Sequence, residues 1–117
     1  MSEPVIVVEK KSRFLAYARF VASEDDAKAF VEEISQEHKK ARHVVYAYVL
    51  AGVEKQSDAG EPRGTAGAPL LNAIKRRGLC DVAVVVVRYF GGVLLGKGGL
   101  IRVYGKAAGK SLDALIG

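Results

Sequence analysis

The sequence predicts an α+β domain of two layers, in which a four-stranded mixed sheet is covered by helices on one face. Short β-branched runs alternate along the 117 residues with longer segments of helical periodicity. The run Val82–Val87 is apolar on both faces, as expected of a strand in the middle of a sheet. No repeat, low-complexity tract or linker interrupts this pattern, so residues 1–117 are predicted to form one domain of order β-β-α-β-α-β-α.

The first two predicted strands form a hairpin. Val5–Val8 is a short β-branched run, and residues 13–21 alternate in polarity. The polar stretch Lys10-Lys11-Ser12 is expected to turn the chain between them. With helices on one sheet face, the other face would be open to nucleic acid or protein. The side chains expected on that open face are Arg13, Tyr17, Arg19, Tyr46 and Tyr48.

A helix and a third strand follow. Ser23 is suited to cap a helix over 24–39, because acidic residues occupy its first turn and apolar residues recur at helical spacing. Residues 42–51 are β-branched and aromatic, which predicts a strand. The segment Gly52–Gly64 is then expected to be a polar loop.

The second half of the chain completes the predicted sheet and its helices. A helix is predicted over 66–77, with Pro69 in its first turn, where a missing N–H is tolerated. After the central strand, a last helix is predicted over 98–116. One face of that helix carries the basic residues Arg102, Lys106 and Lys110.

Composition and charge restrict the class of protein. Half of the residues are apolar and the net charge is +5, which indicates a globular domain that favours anionic partners. The start Met1-Ser2-Glu3-Pro4 is unlike a signal peptide and no apolar run is long enough to span a membrane, so a cytoplasmic location is expected. Cys80 is the only cysteine, which excludes an internal disulfide, and it is expected to be buried.

Two glycine-rich segments lie next to predicted helix starts. The first is SDAGEPRGTAG, from Ser57, and the second is RYFGGVLLGKGGLIRVYG, from Arg88. Glycine is retained where φ must be positive or where a backbone is closely approached. A helix that starts in such a turn presents unpaired N–H groups, which suit an anion. The pair of segments therefore predicts either a phosphate-sized ligand or a shaped docking surface.

The second segment nearly matches the phosphate-loop pattern G-x-x-x-x-G-K-[ST], counted from Gly91. Gly98 stands where that pattern needs a hydroxyl for magnesium, which argues against a nucleoside triphosphatase. Two interpretations stay open. The amide groups around Gly96–Gly99 bind an anion with help from Lys97 and Arg102, or the glycines only form a tight, closely packed turn.

The first segment contains Asp58, Glu61 and Thr65. Paired acids can act in general acid–base catalysis, but no base or nucleophile accompanies them, so no catalytic residue is assigned. Thr65 is predicted to cap the next helix, and the two acids to order their loop by accepting backbone N–H bonds. His38 and His43 lack partners at ligand spacing, so no metal and no cofactor are expected, and His38 is interpreted as a residue at the edge of the core.

Both segments resemble the Impact N-terminal domain family, which also forms the first half of the bacterial YigZ-type proteins. The stretches SDAGEPRGTAG and VVVVRYFGGVLLGKGGLIRVYG carry the resemblance, together with KKSRFLAYA near the start. It extends from about Lys10 to Gly109.

The resemblance implies a fold similar to the second domain of ribosomal protein S5, a type that can include a crossover of the rarer left hand. It also implies a link to translation. The eukaryotic members resemble regulators that compete for the activator of a kinase, and this kinase phosphorylates an initiation factor during amino-acid starvation. For bacterial members it implies binding to nucleic acid or to the ribosome.

Two positions depart from the family pattern. Ala59 replaces the second acid of the usual S-D-D-G-E-P, so an activity that needed that acid would be absent. Lys97 stands where the family often has a small residue, so the likeness to a phosphate loop would be particular to this sequence. In YigZ-type proteins a second domain follows, and an activity that needs both domains is not expected of residues 1–117 alone.

The sequence therefore predicts a non-enzymatic binding module linked to the regulation of translation. Its partner would be RNA or ribosome phosphate, or a translation-regulatory protein. Two alternatives stay open: an enzyme or binder of a phosphorylated small molecule that uses the same turns, and a protein-interaction domain with inert loops. The residues expected to form the binding surface are Asp58, Gly60, Glu61, Arg63, Gly64, Thr65, Arg88, Tyr89, Gly91, Gly92, Gly96, Lys97, Gly98, Gly99 and Arg102.

Overall fold

The computed structural model describes residues 3–117, which form five strands and three helices. In chain order these elements are β1 (Val5–Glu9), β2 (Ser12–Phe20), α1 (Glu24–Glu37), β3 (His43–Leu50), β4 (Val53–Ser57), α2 (Gly67–Arg76), β5 (Val82–Tyr89) and α3 (Gly96–Ile116). The predicted α+β class and the order of the seven predicted elements are confirmed, and the sheet contains one strand more than predicted.

The five strands form one sheet of order β1-β2-β5-β3-β4, in which every neighbouring pair is antiparallel. The prediction of a mixed sheet is therefore wrong. The central position of β5 is confirmed, because it pairs with β2 on one side and β3 on the other, and residues 82–88 are buried. Valine repeats along this strand because both of its faces are covered.

The additional strand, β4, lies inside the segment that was predicted to be a polar loop. It pairs with β3 from Leu50 opposite Val53 to Tyr46 opposite Ser57, across a two-residue turn at 51–52. Its sequence, VEKQS, carries no apolar face, because β4 is an edge strand whose side chains are mostly exposed. The residues of β4 therefore do not predict a strand, and the short turn that ends in Gly52 is the only sequence signal of the hairpin.

The helices cover both faces of the sheet, not one. On one face, α1 packs Ala27, Phe30 and Ile34 against side chains such as Tyr17 and Val85. On the other face, α2 and α3 pack against the alternate residues of the same strands, which include Phe14, Ala16, Val84 and Val86. An amphipathic pattern shows that a helix buries one face but does not define which side of the sheet receives it.

The predicted open face of arginines and tyrosines is therefore wrong. Tyr17 and Tyr48 are buried beneath α1, and Tyr46 stacks on Tyr48 with ring centroids 6.0 Å apart. Arg19 lies over the Phe30 ring and forms an ion pair of 3.0 Å with Glu33 of α1. Of the five side chains, Arg13 is exposed, and the other four are at least partly buried.

Two crossover connections have opposite hands. Helix α1 joins β2 to β3, and α2 joins β4 to β5; in each case the joined strands are parallel with one strand between them. The first connection moves toward the β4 edge of the sheet and the second moves back toward the β1 edge. Strand β4 runs antiparallel to β2, and α1 and α2 lie on opposite faces of the sheet. One connection is therefore the mirror image of the other, so one of them has the rare left hand, as the resemblance implied.

Cys80 is exposed, which corrects the expectation of a buried thiol. Strand β5 begins two residues later, at Val82, and the intervening Asp81 has a positive φ of 58°. Cys80 therefore belongs to the turn before the strand and not to its buried part. Across the part of the chain that the structure describes, no helix combines the length and apolarity that a membrane crossing needs.

Candidate functional site

The two glycine-rich segments meet at a buried ion pair. Arg88 is the last fully buried residue of β5, and Glu61 lies in the loop between β4 and α2; their exposed fractions are 4% and 7%. The Arg88 Nη1 atom lies 2.9 Å from Oε1 and 2.7 Å from Oε2 of Glu61. This pair joins the two segments through the interior of the protein and not through a shared ligand.

Side chains from two more elements complete this cluster. The Tyr104 hydroxyl of α3 donates a 2.5 Å hydrogen bond to Glu61 Oε2, and burial together with this bond raises the pKa of Tyr104. The Ser12 hydroxyl of β2 accepts from Nε and Nη2 of Arg88 at 3.4 and 3.3 Å, and from the backbone N–H of Gly91 at 3.3 Å. No buried side-chain nitrogen or oxygen among residues 3–117 lacks a partner.

His43 closes the cluster toward the surface. It starts β3 opposite Arg88, and its ring is half-buried. The Nδ1 atom lies 2.7 Å from the carbonyl oxygen of Ala59, so Nδ1 carries a proton and donates it to that bond. The Nε2 atom lies 3.4 Å from Glu61 Oε1, a contact that is attractive when Nε2 also carries a proton.

Asp58 fixes the start of α2. Its carboxylate accepts hydrogen bonds from the backbone N–H groups of Gly64, Ala66 and Gly67, at 2.9, 3.1 and 2.9 Å. Burial opposes ionisation, but these three donors and the charge of Arg63 outweigh it and hold the pKa of Asp58 below its usual value. The positive end of α2 is therefore occupied by a carboxylate of the same chain.

This arrangement confirms one prediction for the first segment and corrects two. Asp58 orders its loop through backbone N–H groups, as predicted. Glu61 instead accepts from buried side chains. Thr65 is not the helix cap: its hydroxyl donates to the carbonyl of Pro62, and Asp58 reaches the helix start from eight residues away. Capping patterns consider only adjacent residues and miss such a contact.

Close backbone approach explains glycine at two positions. A Cβ atom at Gly91 would overlap the backbone carbonyl of Lys11, and one at Gly67 would lie 2.9 Å from the carbonyl carbon of Ser57. Positive φ, the other use of glycine that the sequence analysis considered, is found at Gly60, Gly64, Gly92 and Gly96.

The start of α3 differs from that of α2. Its cap residue is Leu95, and within residues 3–117 no side-chain hydrogen bond caps its first turn. The helix begins at Gly96, two residues before the predicted start, so Lys97, Gly98 and Gly99 are helical. Lys97 and Gly98 are exposed on this turn.

An exposed surface surrounds this helix start. We call Arg42, Phe90, Val93, Leu94 and Lys97 the turn surface; most of it lines a cavity of about 240 Å³ above the buried cluster. The Arg42 guanidinium lies over the Phe90 ring, 4.6 Å from its centroid. Val93 is 39% exposed and Leu94 is 80% exposed. The surface thus combines aliphatic side chains with two cations.

Tyr89 and Arg102 do not belong to the turn surface. Tyr89 points to the α1 side of the sheet, where its hydroxyl lies 2.6 Å from Nδ1 of His38. The other nitrogen of His38 lies 2.8 Å from the Tyr17 hydroxyl, so this half-buried ring is satisfied at the edge of the core, as predicted. Arg102 is exposed and lies 3.2 Å from Glu9.

Sequence reasoning missed the contributions of Ser12, Arg42, His43 and Tyr104. The role of His43 could have been inferred from the pairing of β3 with β5, which places His43 opposite Arg88. The sequence around His43 bears only on metal binding, which it argues against. Within residues 3–117 the structure contains no group of three or more His, Cys, Asp or Glu side chains that could hold a metal ion.

The fold and the site together define a class of protein: a small antiparallel α+β domain whose two glycine-rich turns are joined by a buried ion pair. The sequence profile of the Impact N-terminal domain matches residues 10–112. The chain therefore belongs to the Impact N-terminal domain family, as its two motifs predicted.

Curated relatives share this family. The IMPACT family member YvyE of Bacillus subtilis is 46% identical over 114 residues, which cover 95% of this chain and 52% of YvyE. The IMPACT family member YigZ of Escherichia coli is 44% identical over 119 residues, which cover 96% of this chain and 58% of YigZ. The chain spans about half the length of the curated relatives it matches.

Solved structures share the fold. A crystal structure of a hypothetical protein superposes with a TM-score of 0.90 at 42% identity, over 95% of this chain and 56% of that one. The structure of the two-domain translational regulator Yih1 superposes with a TM-score of 0.56 at 27% identity, over 94% of this chain and 45% of Yih1.

Proposed function

We propose that this chain is a non-enzymatic binding module in the regulation of translation, and that its turn surface docks a regulatory protein. Membership of the Impact family and the similarity to Yih1, a translational regulator, support the link to translation. The observation that carries the choice of a protein partner is the exposure of Leu94 beside two cations.

The turn surface has the chemistry of a protein–protein contact. Leu94 and Val93 are exposed just after Gly91, whose backbone packs against Lys11 and donates to Ser12. A partner that covers these aliphatic side chains removes apolar surface from water, which favours association. Arginine and aromatic side chains, here Arg42 stacked on Phe90, are enriched in such contacts. The partner would be apolar at its centre and acidic at its rim.

The carboxylates of the first segment do not support an enzyme. Asp58 accepts three backbone N–H groups, and Glu61 accepts from Arg88 and Tyr104. Asp58 does not line the cavity of the turn surface. Glu61 and His43 do line it, but the Glu61 carboxylate already accepts hydrogen bonds from the Arg88 guanidinium and from Tyr104. The contacts of the two carboxylates favour a role in holding the two turns together.

RNA is a weaker candidate for this particular surface. Arg88 is buried and neutralised by Glu61, and Arg102 faces away toward Glu9. Phe90, the aromatic side chain of the surface, already contacts two guanidinium groups, Arg42 at 4.6 Å and Arg88 at 5.5 Å from its ring centroid, which leaves less of the ring for stacking on a base. Of the cations predicted for the binding surface, Arg63 and Lys97 are exposed and form no ion pair within residues 3–117.

The test compares Leu94→Asp with Ile116→Asp, a change of the same chemistry at an exposed residue at the far end of α3. The immobilised chain and both variants are incubated with a cell extract, and retained translation factors are quantified by mass spectrometry. We expect a translation-regulatory protein that binds the wild type and Ile116→Asp equally. Its affinity for Leu94→Asp should fall roughly 30-fold, since losing an interface hot spot costs about 2 kcal/mol.

Equal retention of that protein by all three chains would contradict the assignment of the turn surface. Retention of no translation-regulatory protein by any chain would contradict the proposed partner class. A loss with both variants would indicate a general effect of added negative charge and would also count against a specific site.

A further inference from the structure

A second concave surface lies between α2 and α3. It is a groove of about 690 Å³, on the side of α3 that faces α2. Its floor is made by small residues, Pro69 and Ala73 of α2 and Gly105 and Gly109 of α3. Because these residues have short side chains or none, the two helices leave open space between the long side chains at the rims.

The groove is strongly basic. Its lining contains one acidic side chain, Asp113, and five cations: Arg76, Arg77, Arg102, Lys106 and Lys110. Arg77 is neutralised by Asp113, with contacts of 2.8 and 3.1 Å, and Arg102 by Glu9. Within residues 3–117, Arg76, Lys106 and Lys110 form no ion pair. Three positive charges in the groove are therefore uncompensated.

The cations are held in a defined arrangement. Arg102, Lys106 and Lys110 are each four residues apart on α3, so they follow one wall of the groove at intervals of about 6 Å. Arg76 stands on the opposite wall. Arg77 locks the two walls together, because it donates to the Ala73 carbonyl of α2 at 3.0 Å while it pairs with Asp113 of α3.

We propose that this groove holds the phosphate backbone of base-paired RNA and reads no bases. Lys106 and Lys110, the two uncompensated cations of the α3 wall, are spaced like consecutive phosphates of a nucleic acid strand, and Arg76 on the opposite wall adds a third free charge. The lining contains no aromatic residue on which an unpaired base could stack, which favours a duplex over a single strand. The choice of RNA over DNA rests on the proposed function in translation. The assignment of the groove as a site for a phosphate backbone does not depend on that function.

A protein partner fits this groove less well. Ile101 is the large exposed aliphatic side chain in the lining, and the groove offers no aromatic anchor. Protein interfaces depend on such anchors, with charges at their rim. An acidic peptide is therefore the competing occupant that the experiment has to separate from RNA.

The experiment is a fluorescence titration of a short RNA duplex with the wild-type chain at 50 and 200 mM salt. The test variant is Lys106→Glu/Lys110→Glu, and the matched control is Lys28→Glu/Lys39→Glu, which changes the net charge equally at exposed positions of and just after α1. With three phosphate contacts, wild-type affinity should fall roughly 40-fold between the two salt concentrations. The test variant should bind at least about tenfold more weakly at 50 mM salt and lose most of this salt dependence.

Several results would overturn the proposal. These are absence of duplex binding at 50 mM salt, equal weakening in both double variants, and tighter binding of an acidic peptide than of the duplex. A DNA duplex of the same sequence that binds more tightly would overturn the choice of RNA, and so would tighter binding of a single strand. Leu94→Asp is expected to bind RNA like the wild type. If the groove does not bind RNA, the proposal for the turn surface still stands. If the turn surface binds no protein, the proposal for the groove still stands.

Discussion

The two glycine-rich turns look equivalent in the sequence and differ in the structure. Both precede a helix, and both contain glycines in left-handed or closely packed conformations. The start of α2 is occupied by the carboxylate of Asp58. The start of α3 has no side-chain cap and lies beside the exposed Leu94 and Lys97. A glycine-rich helix start is therefore available to a partner only when the chain itself does not fill it.

The difference originates in acidic residues. The first turn contains Asp58 and Glu61, one of which caps a helix while the other neutralises the buried Arg88. The second turn, residues 90–95, contains no acidic residue, and it contacts the cluster through the bond from Gly91 to Ser12 and through the Phe90 ring, which lies 5.5 Å from the Arg88 guanidinium. The first turn is thus a structural support, and the second is the surface that the first supports.

Removal of the buried Glu61 carboxylate should lower the stability of the protein more than any other change at the two turns. Glu61→Gln leaves the Arg88 guanidinium buried without a counter-charge, so the free energy of unfolding should fall by about 3–5 kcal/mol. Urea unfolding measures this loss. Glu54→Gln, which breaks the exposed pair with Lys75, should cost less than about 1 kcal/mol and serves as the control. Equal losses in the two variants would show that the buried pair does not join the turns.

Alanine substitutions at two glycines of the second segment should have opposite signs. Gly91→Ala forces a Cβ into the backbone of Lys11 and should destabilise the protein by about 1–3 kcal/mol. Gly98→Ala lies in open space on a helix and should stabilise it by roughly 0.5–1 kcal/mol. Thermal unfolding of both variants checks the signs. A stable Gly91→Ala variant would mean that the turn is not fixed against Lys11.

The smallest of these effects concerns pH and the cap of α2. Folding lowers the pKa of Asp58. The ionised carboxylate therefore contributes fully to stability above about pH 4, and this contribution is lost as the pH falls through the lowered pKa. Asp58→Asn should therefore cost about 1 kcal/mol at neutral pH and progressively less toward about pH 2. Urea unfolding across this range gives the profile, with the exposed Glu3→Gln as control. A pH-independent difference would exclude the charge of Asp58 as the cause.

Much of the fold could be predicted from the sequence because its signals are local. The periodicity of α1 and the two-sided apolar run of β5 identified those elements, and the two glycine-rich motifs identified the family. Part of the site could also be predicted. Asp58 was predicted to order its loop, and glycine was predicted to serve either positive φ or close backbone approach, both of which occur. Each of these features depends on residues that are close together along the chain.

The tertiary structure decided what depends on distant residues. Which sheet face receives α1, and hence that one crossover is left-handed, follows from how the apolar face of each helix matches one alternate set of strand residues. The burial of Arg88 required Ser12, Glu61 and Tyr104 to arrive from three other elements. The sequence by itself determined which segments become helices and central strands, because hydrophobic periodicity acts over a few residues. Which charges are neutralised inside and which remain for a partner was decided by packing, because opposite charges meet only after the chain has folded.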